Sequence, residues 1–198
     1  LEAALASLPS VKKVETMDCG PFAGKYLLWF EQPVSHKDPS KGTFLQRVVV
    51  GNVSRDSATV MVAEGYNADY ALRNGYREEL SRLFNLNNVV VEHRYFKPSS
   101  PEIVDWTYLT AENESADLHS VVTQLKSIFP AKWIATGISK GGQNSAIYRA
   151  FYPEDVDITV PYVGPFCRKV EDGRHEPFIA SFAGTPSDRK AVRDFQKA

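Results

Sequence analysis

The sequence predicts an α/β fold with a mostly parallel sheet and helices on both of its faces, and three observations support this prediction. Short apolar runs, typical of strands buried on both faces, occur at residues 59–63, 88–92, 132–136 and 158–163. Amphipathic helical patterns lie between these runs. Two strand-like segments precede them, which indicates antiparallel strands at one edge. Buried strands that alternate with helices build right-handed βαβ units.

The first elements are the two early strand-like segments. Residues 26–30 predict one strand, and residues 43–50 predict the next. Between them lies a stretch with Pro33, Pro39 and Gly42, which is typical of a turn region. The short separation therefore predicts an antiparallel pair.

Helical periodicity appears three times along the chain. One helix is predicted from apolar residues that recur every four positions: Leu72, Tyr76, Leu80 and Phe84. A second helix, which Pro130 ends, is predicted from an apolar stripe: Leu118, Val121, Val122, Leu125 and Phe129. A third is predicted over about residues 141–151, and we expect its inward residues to be Ala146, Ile147, Ala150 and Phe151.

The pattern changes after Pro165. Residues 166–198 hold many charges, no buried strand and some helical pieces. We therefore divide the chain into a sheet-bearing part, residues 1–165, and the start of an insertion, residues 166–198. Such an insertion would lie over the carboxyl edge of the sheet, where ligands bind in folds of this type.

Composition excludes several classes of protein. The chain has 198 residues, 43% hydrophobic and 24% charged, with a formal net charge of -1. This length fits one domain, or most of one, and the composition excludes disorder, collagen-like repeats and a disulfide scaffold. The near-zero charge argues against nucleic acid or an anionic membrane as the main partner. Cys19 and Cys167 permit one disulfide without implying it.

The segment that indicates a catalytic site is Gly-x-Ser-x-Gly, formed by Gly137, Ser139 and Gly141. It lies between a predicted strand and a predicted helix, which is the context of a nucleophile elbow. A serine there would stand at a helix N-terminus, where the helix dipole and the N–H of Lys140 can stabilise an oxyanion. The alternative is an ordinary glycine-rich turn. The context favours the nucleophile.

A second oxyanion donor is expected from the loop after the first parallel strand, residues 64–67. The N–H of Gly65 or that of Tyr66 could supply it. Glu64 ends the buried strand, where a carboxylate is costly unless it is paired. We weigh two roles for Glu64: a structural ion pair with Arg94 or Lys140, and a clamp for the α-amino group of a substrate.

The histidines offer no convincing base. His93, with Arg94 beside it, is expected to shape the site by hydrogen bonding and ion pairing, because hydrolases of this type take their histidine from a loop after the last strand. His36 is expected at the surface of a turn, and His119 as a satisfied or half-exposed packing residue. His175 follows Ser139 and could form a compact triad with Asp172 or Asp157. It comes only one strand after the serine, however, where the predicted sheet is not yet finished.

Six short motifs follow one another within residues 29–165. They are FEQPVSH at 30–36, GTFLQR at 42–47, EGY at 64–66, EHRYF at 92–96, DWTYLT at 105–110 and TGISKGG at 136–142. Together they resemble the motifs of the secreted bacterial prolyl tripeptidyl aminopeptidases. The Glu-His-Arg-Tyr and Gly-x-Ser-x-Gly-Gly pieces are also similar to those of the prolyl carboxypeptidases and dipeptidyl peptidases.

This resemblance implies an α/β-hydrolase with a helical cap and a Ser, Asp, His triad, which removes short peptides, typically tripeptides, from free N-termini, often after proline. It implies that Ser139 is the nucleophile and that the backbones of Lys140 and Tyr66 are the oxyanion donors. It also implies a secreted or periplasmic enzyme. The first residue is Leu1, and we expect a processed or trimmed start. No cofactor or metal is expected.

The chain departs from the family in one respect: it stops where the cap begins. We therefore expect an incomplete sheet, and a second polypeptide or C-terminal part that supplies the Asp and the His. The competing hypotheses are an esterase or lipase-like hydrolase that uses the same elbow, and a non-catalytic relative of the fold.

Overall fold

A seven-stranded sheet organises the first part of the chain. The computed structural model describes residues 1–170 and 172–198, in two compact units, Leu1–Pro165 and Phe166–Ala198. The strands of the first unit are β1 (Val11–Met17), β2 (Gly24–Pro33), β3 (Thr43–Asn52), β4 (Thr59–Ala63), β5 (Asn87–Val91), β6 (Trp133–Ile138) and β7 (Ile158–Tyr162).

The order of the strands is β1-β2-β3-β5-β4-β6-β7. The first three pair in antiparallel fashion and β3 also pairs antiparallel with β5, whereas β5, β4, β6 and β7 are parallel. The predicted fold class and the predicted antiparallel edge are confirmed. The edge strand β1 carries no strong apolar run, and the sequence did not predict it.

Helices cover both faces of this sheet. They are α1 (Glu2–Ala6), α2 (Glu79–Phe84), α3 (Ala111–Leu125) and α4 (Lys140–Phe151). Successive residues of a strand face opposite sides of the sheet. In β5, Val89 and Val91 pack into the larger core cluster with α3, whereas Val90 packs into a smaller cluster on the opposite face. Helix α3 begins at a Thr110 cap, whose hydroxyl accepts a hydrogen bond from the N–H of Asn113.

The predicted helix over residues 72–84 is wrong. The structure has a 3-10 turn at Asp69–Leu72 and then α2, with irregular chain between them. Asn74 and Gly75 fall in that gap, and both are poor helix formers. A spacing of four therefore matched apolar residues of two separate short elements and Tyr76 of the irregular chain between them.

The predicted inward face of α4 is also wrong. The buried residues of α4 are Gly141, Gly142, Ser145 and Tyr148, while Ala150 and Phe151 are exposed. The reason is close packing: a Cβ atom on Gly141 would lie 2.5 Å from the Ala63 carbonyl oxygen, and one on Gly142 would lie 2.6 Å from that of Tyr162. Small residues therefore face the sheet.

Strand β7 was predicted to be buried on both faces, but within the described residues it is an edge strand that pairs with β6 alone. Ile158 is 52% exposed, and Pro161, which has no N–H to donate, lies within the strand. Continuous apolar composition does not distinguish a central strand from such an edge.

The second unit contains two helices, α5 (His175–Ser181) and α6 (Pro186–Lys197). Helix α6 begins with a capping box formed by Thr185 and Asp188. The role of this unit as the start of a cap stays a prediction. In the part of the chain that the structure describes, no helix has both the length and the apolar character needed to span a bilayer. Both cysteines are free.

Candidate active site

Ser139 lies at the turn between β6 and α4, and its backbone is strained. Its φ of 57° and ψ of -119° are unusual for a residue that is not glycine. Such a conformation costs on the order of 1–3 kcal/mol and persists only where the surroundings impose it. The Ser139 N–H donates to the Tyr162 carbonyl at 3.0 Å, and its carbonyl accepts from the Gln143 N–H at 2.9 Å. The side chain is exposed and does not cap the helix.

The glycines of the motif are required by backbone contacts. A Cβ atom on Gly137 would lie 2.3 Å from the Gly141 carbonyl oxygen and 2.7 Å from that of Ala63. Both neighbours are backbone oxygens, so no change of side-chain rotamer could relieve such a contact. The Gly-x-Ser-x-Gly pattern thus lets α4 approach β4 and β6 closely and holds the serine above the carboxyl edge of the sheet.

The loop after β4 lies against the start of α4, as the sequence predicted. A Cβ atom on Gly65 would lie 2.7 Å from the Cβ of Lys140. Three successive carbonyls of this loop accept hydrogen bonds: Glu64 O from the Asn144 side chain at 2.9 Å, Gly65 O from the Lys140 Nζ at 2.8 Å, and Tyr66 O from the His93 N–H at 3.1 Å. The loop is therefore fixed at consecutive peptide groups.

Which N–H of this loop serves as the oxyanion donor, that of Gly65 or that of Tyr66, stays a prediction. Burial raises the pKa of the Glu64 carboxylate, and the Gly65 N–H has a smaller, opposite effect on it. Among the described residues, the Tyr66 N–H has no hydrogen-bond acceptor. The N–H of Lys140, at the first position of α4, has no acceptor within the helix. Two free N–H groups thus accompany Ser139.

Glu64 does not form the expected ion pair with Arg94 or Lys140, and that alternative is wrong. Its carboxylate instead accepts a hydrogen bond from the Tyr70 hydroxyl, and burial raises its pKa. It lines a cavity of about 270 Å³ together with Tyr70 and Tyr76. The side chain points to the face of the sheet that carries the smaller core cluster, away from Arg94 on the α3 side.

Arg94 is fully buried and binds Asp117 of α3 through two hydrogen bonds of 2.7 and 2.8 Å. It also donates to the carbonyls of Pro33, Val34 and Tyr108. His36, expected at the surface, is partly buried, and its Nε2 lies 2.7 Å from the same carboxylate. Arg94 therefore joins three segments of the chain, and its role in shaping the site stays a prediction.

His93 is buried beside the site rather than placed as its base. Its Nδ1 lies 2.7 Å from the Arg94 carbonyl, and its Nε2 lies 3.8 Å from Oε2 of Glu114. Burial, together with the nearby charge of Lys140, lowers the pKa of His93 to about 4. The ring is therefore neutral at neutral pH. It lines a cavity of about 330 Å³ with Glu114, Lys140 and Asn144.

Two acidic residues near the site were missed by sequence analysis. Glu92 is fully buried and accepts hydrogen bonds from Arg47, Ser99 and the N–H of Ala68. Glu114 is also buried, and its Oε1 has no partner. Burial and the neighbouring Asp117 raise the pKa of Glu114 to about 8. Glu114 and Asp117 lie within the buried stripe of α3, where acidic residues in an apolar pattern were a usable signal.

Within the described residues, no histidine is hydrogen-bonded to Ser139. His119 pairs with Asp155 at 2.7 Å and stacks on Tyr152, near the far end of α4, with its side chain 41% exposed as expected. Asp172 binds Arg174 in the second unit, where His175 begins α5. The same residues contain no group of His, Cys, Asp and Glu side chains arranged to hold a metal ion.

A serine elbow with two free N–H groups, at the carboxyl edge of a mostly parallel sheet, defines the α/β-hydrolase class. Solved structures support this fold. The chain matches acetyl xylan esterase 1 of Thermoanaerobacterium sp. (TM-score 0.54, 15% identity, 98% of this chain and 64% of that one) and acetyl xylan esterase of Paenibacillus sp. R4 (TM-score 0.55, 12% identity, 96% and 64%). At these identities the likeness concerns the fold alone.

Within that class, the chain belongs to the PS-10 peptidase S37 family, whose model matches residues 2–197. It is 38% identical over 196 residues to the prolyl tri/tetrapeptidyl aminopeptidase of Streptomyces mobaraensis. That alignment covers 98% of this chain and 40% of the relative, so the chain spans about two fifths of the relative's length. The resemblance found in the sequence motifs is confirmed.

Proposed function

We propose that this chain supplies the nucleophile and the oxyanion hole of a serine exopeptidase, which releases short peptides, tripeptides among them, from free N-termini, often after proline. The observation that supports it most is the strained elbow at Ser139 in a member of a peptidase family. The name of the Streptomyces relative supports the substrate class.

In this proposal the Ser139 hydroxyl attacks the carbonyl carbon of the scissile bond. A general base takes the hydroxyl proton, and the resulting oxyanion accepts hydrogen bonds from the N–H groups of Lys140 and Tyr66. Collapse of this intermediate breaks the C–N bond, and the protonated base gives its proton to the leaving amine. Water then hydrolyses the acyl-enzyme by the reverse proton transfers.

We propose that the acid and the base come from polypeptide outside these 198 residues. The support is that the described histidines near the sheet have other partners: His36 binds Asp117, His93 faces the Arg94 carbonyl, and His119 binds Asp155. A second polypeptide or C-terminal part, and a secreted or periplasmic location, stay predictions of the sequence.

Glu64 is proposed to bind the α-ammonium group of the substrate. Its carboxylate is half-buried just after the carboxyl end of β4, in the same loop as the proposed donor Tyr66. A cationic ligand would offset the cost of burying that charge.

The test is covalent labelling of the complete enzyme with a fluorophosphonate, followed by peptide mapping. We expect the label on Ser139, and we expect Ser139→Ala to lose both the label and several orders of magnitude of peptidase rate while folding normally. Activity retained in Ser139→Ala would overturn the proposal. Hydrolysis of esters but not of free-amine peptides would support the esterase alternative instead.

A further inference from the structure

We propose that the side chain of Lys140 is a positioning residue that sets the direction of the Tyr66 N–H, so that the residue after the nucleophile organises both halves of the oxyanion hole. This inference rests on the proposed function. It concerns the ammonium group of Lys140, whereas the proposed donor on the same residue is its backbone N–H.

The Gly65–Tyr66 peptide group connects the Lys140 side chain to the Tyr66 N–H. The only cis peptide bond among the described residues is Lys97–Pro98, so the Gly65–Tyr66 bond is trans. In a planar trans peptide, the carbonyl and the following N–H point in opposite directions. Lys140 Nζ donates to Gly65 O at 2.8 Å. A donor that fixes this carbonyl therefore fixes the direction of the Tyr66 N–H as well.

The ammonium group of Lys140 is itself held in place. Nζ lies 5.2 Å from the centre of the Tyr66 ring and 5.3 Å from that of Phe96, and these two rings meet edge to face at 5.5 Å. Cation–π attraction at this distance stabilises the position of Nζ. The aliphatic stem packs directly on Gly65, where a side chain would collide with it.

Lys140 differs from the other donors to the loop. Asn144 holds the carbonyl of Glu64 and the His93 N–H holds that of Tyr66, so each acts on a neighbouring peptide group. Both are neutral donors. Of the side chains that the structure describes, Lys140 alone donates to the peptide group that contains the Tyr66 N–H, and a charged donor makes the stronger hydrogen bond.

The experiment compares Lys140→Met, Lys140→Gln and Lys140→Arg in the complete enzyme. Methionine keeps an unbranched apolar stem but removes the donor and the charge. We expect kcat for Lys140→Met to fall about 10- to 100-fold with KM changed by less than about twofold, because an oxyanion donor acts mainly in the transition state. Arginine should restore most of kcat, and glutamine, a neutral donor, should lie between.

A second measurement separates positioning from general loosening of the fold. A boronic-acid analogue of the cleaved peptide, which forms a tetrahedral adduct with a serine, should bind Lys140→Met weaker by the same factor as kcat. Binding of an unreactive substrate peptide should not change. The control is Lys132→Met, which changes an exposed lysine just before β6 that pairs with Asp157. It should match the wild type in every measurement.

Unchanged kcat and boronate affinity in Lys140→Met would overturn the inference, as would a loss confined to KM. If Lys140→Met does not fold, as judged by its thermal unfolding, Lys140→Gln and Lys140→Arg decide by the same criteria. Failure of the proposed function itself would appear differently, as activity that survives Ser139→Ala.

Discussion

At the scale of single residues, the candidate site depends on backbone groups more than on side chains. The strained backbone of Ser139 is held from both sides by hydrogen bonds to Tyr162 and Gln143. The proposed oxyanion donors are also backbone N–H groups. Side chains such as Lys140 and Asn144 act by fixing that backbone. Substitutions of these side chains should therefore change rates without removing the chemistry.

Glu64→Gln tests the proposed amine clamp. Loss of a charge-assisted contact of roughly 1.5–3 kcal/mol should lower kcat/KM about 10- to 150-fold for a free-amine peptide. An N-acetylated peptide or a small ester should lose little. Steady-state kinetics on the paired substrates give the comparison.

The stability of Glu64→Gln must be measured alongside, because the carboxylate also accepts the Tyr70 hydroxyl. Glutamine can still accept that bond, so we expect only a small change in the free energy of unfolding. An equal loss of activity on both substrate types would make Glu64 a structural partner of Tyr70 instead.

At the scale of elements, the decisive contact is the one between the start of α4 and the strands beneath it. Gly137 and Gly141 meet each other and the Ala63 carbonyl without any side chain between them. Interlocked backbone of this kind cannot adjust by a change of rotamer. The contact therefore sets the height of Ser139 above the sheet, and a single added methyl group should displace it.

Gly137→Ala is expected to lower the free energy of unfolding by more than about 3 kcal/mol, because its Cβ would overlap two carbonyl oxygens. Denaturant unfolding measures this change. Gly75→Ala is the matched control: nothing lies within 4 Å of its Cβ, and its φ is not in the left-handed region. It should leave stability unchanged or raise it by up to about 1 kcal/mol. Equal stability of the two variants would show that the elbow tolerates the methyl group.

At the scale of the whole molecule, the sequence predicted what depends on local pattern. Apolar runs located β4 and β5 closely, and the glycine spacing located the elbow. Features set by tertiary contacts were not predictable in the same way. The inward face of α4 follows from close approach to the sheet rather than from hydrophobicity, so Tyr148 is buried where Phe151 was expected. The partner of His36 is Asp117, 81 positions along the chain, and no local spacing encodes such a contact. The partner of Glu64 is Tyr70, only six positions away, but the two meet through an irregular loop that has no periodic pattern.

The pH dependence of stability should reflect the buried pair His93 and Glu114. Burial lowers the pKa of His93 from 6.5 to about 4, so its contribution to stability is present above pH 6.5 and is lost as the pH falls towards 4. Burial raises the pKa of Glu114 from 4.5 to about 8, so its contribution is present below pH 4.5 and is lost as the pH rises through 8. The two effects oppose each other between pH 4.5 and 6.5.

Above pH 6.5 His93 is neutral in both the folded and the unfolded state, so of the two residues only Glu114 still makes stability depend on pH. Glu114→Gln cannot ionise, so relative to the wild type it should gain stability between pH 6.5 and 8.5, by an amount on the order of a few kcal/mol. Denaturant titrations of both proteins at several pH values measure the difference. A constant difference across this range would show that Glu114 titrates at an ordinary pKa in the folded protein.

The hydrogen bond between Lys140 and Gly65 also determines when the site can form during protein synthesis. The two residues are 75 positions apart in the chain. At a synthesis rate of roughly 5–20 residues per second, Gly65 leaves the peptidyl-transferase centre about 4–15 seconds before Lys140 is added. Throughout that interval the loop lacks both its ammonium partner and the helix against which it packs. No nascent chain that ends before Lys140 can hold the paired N–H groups, so the nucleophile and the oxyanion loop can mature only together, after Lys140 has been added.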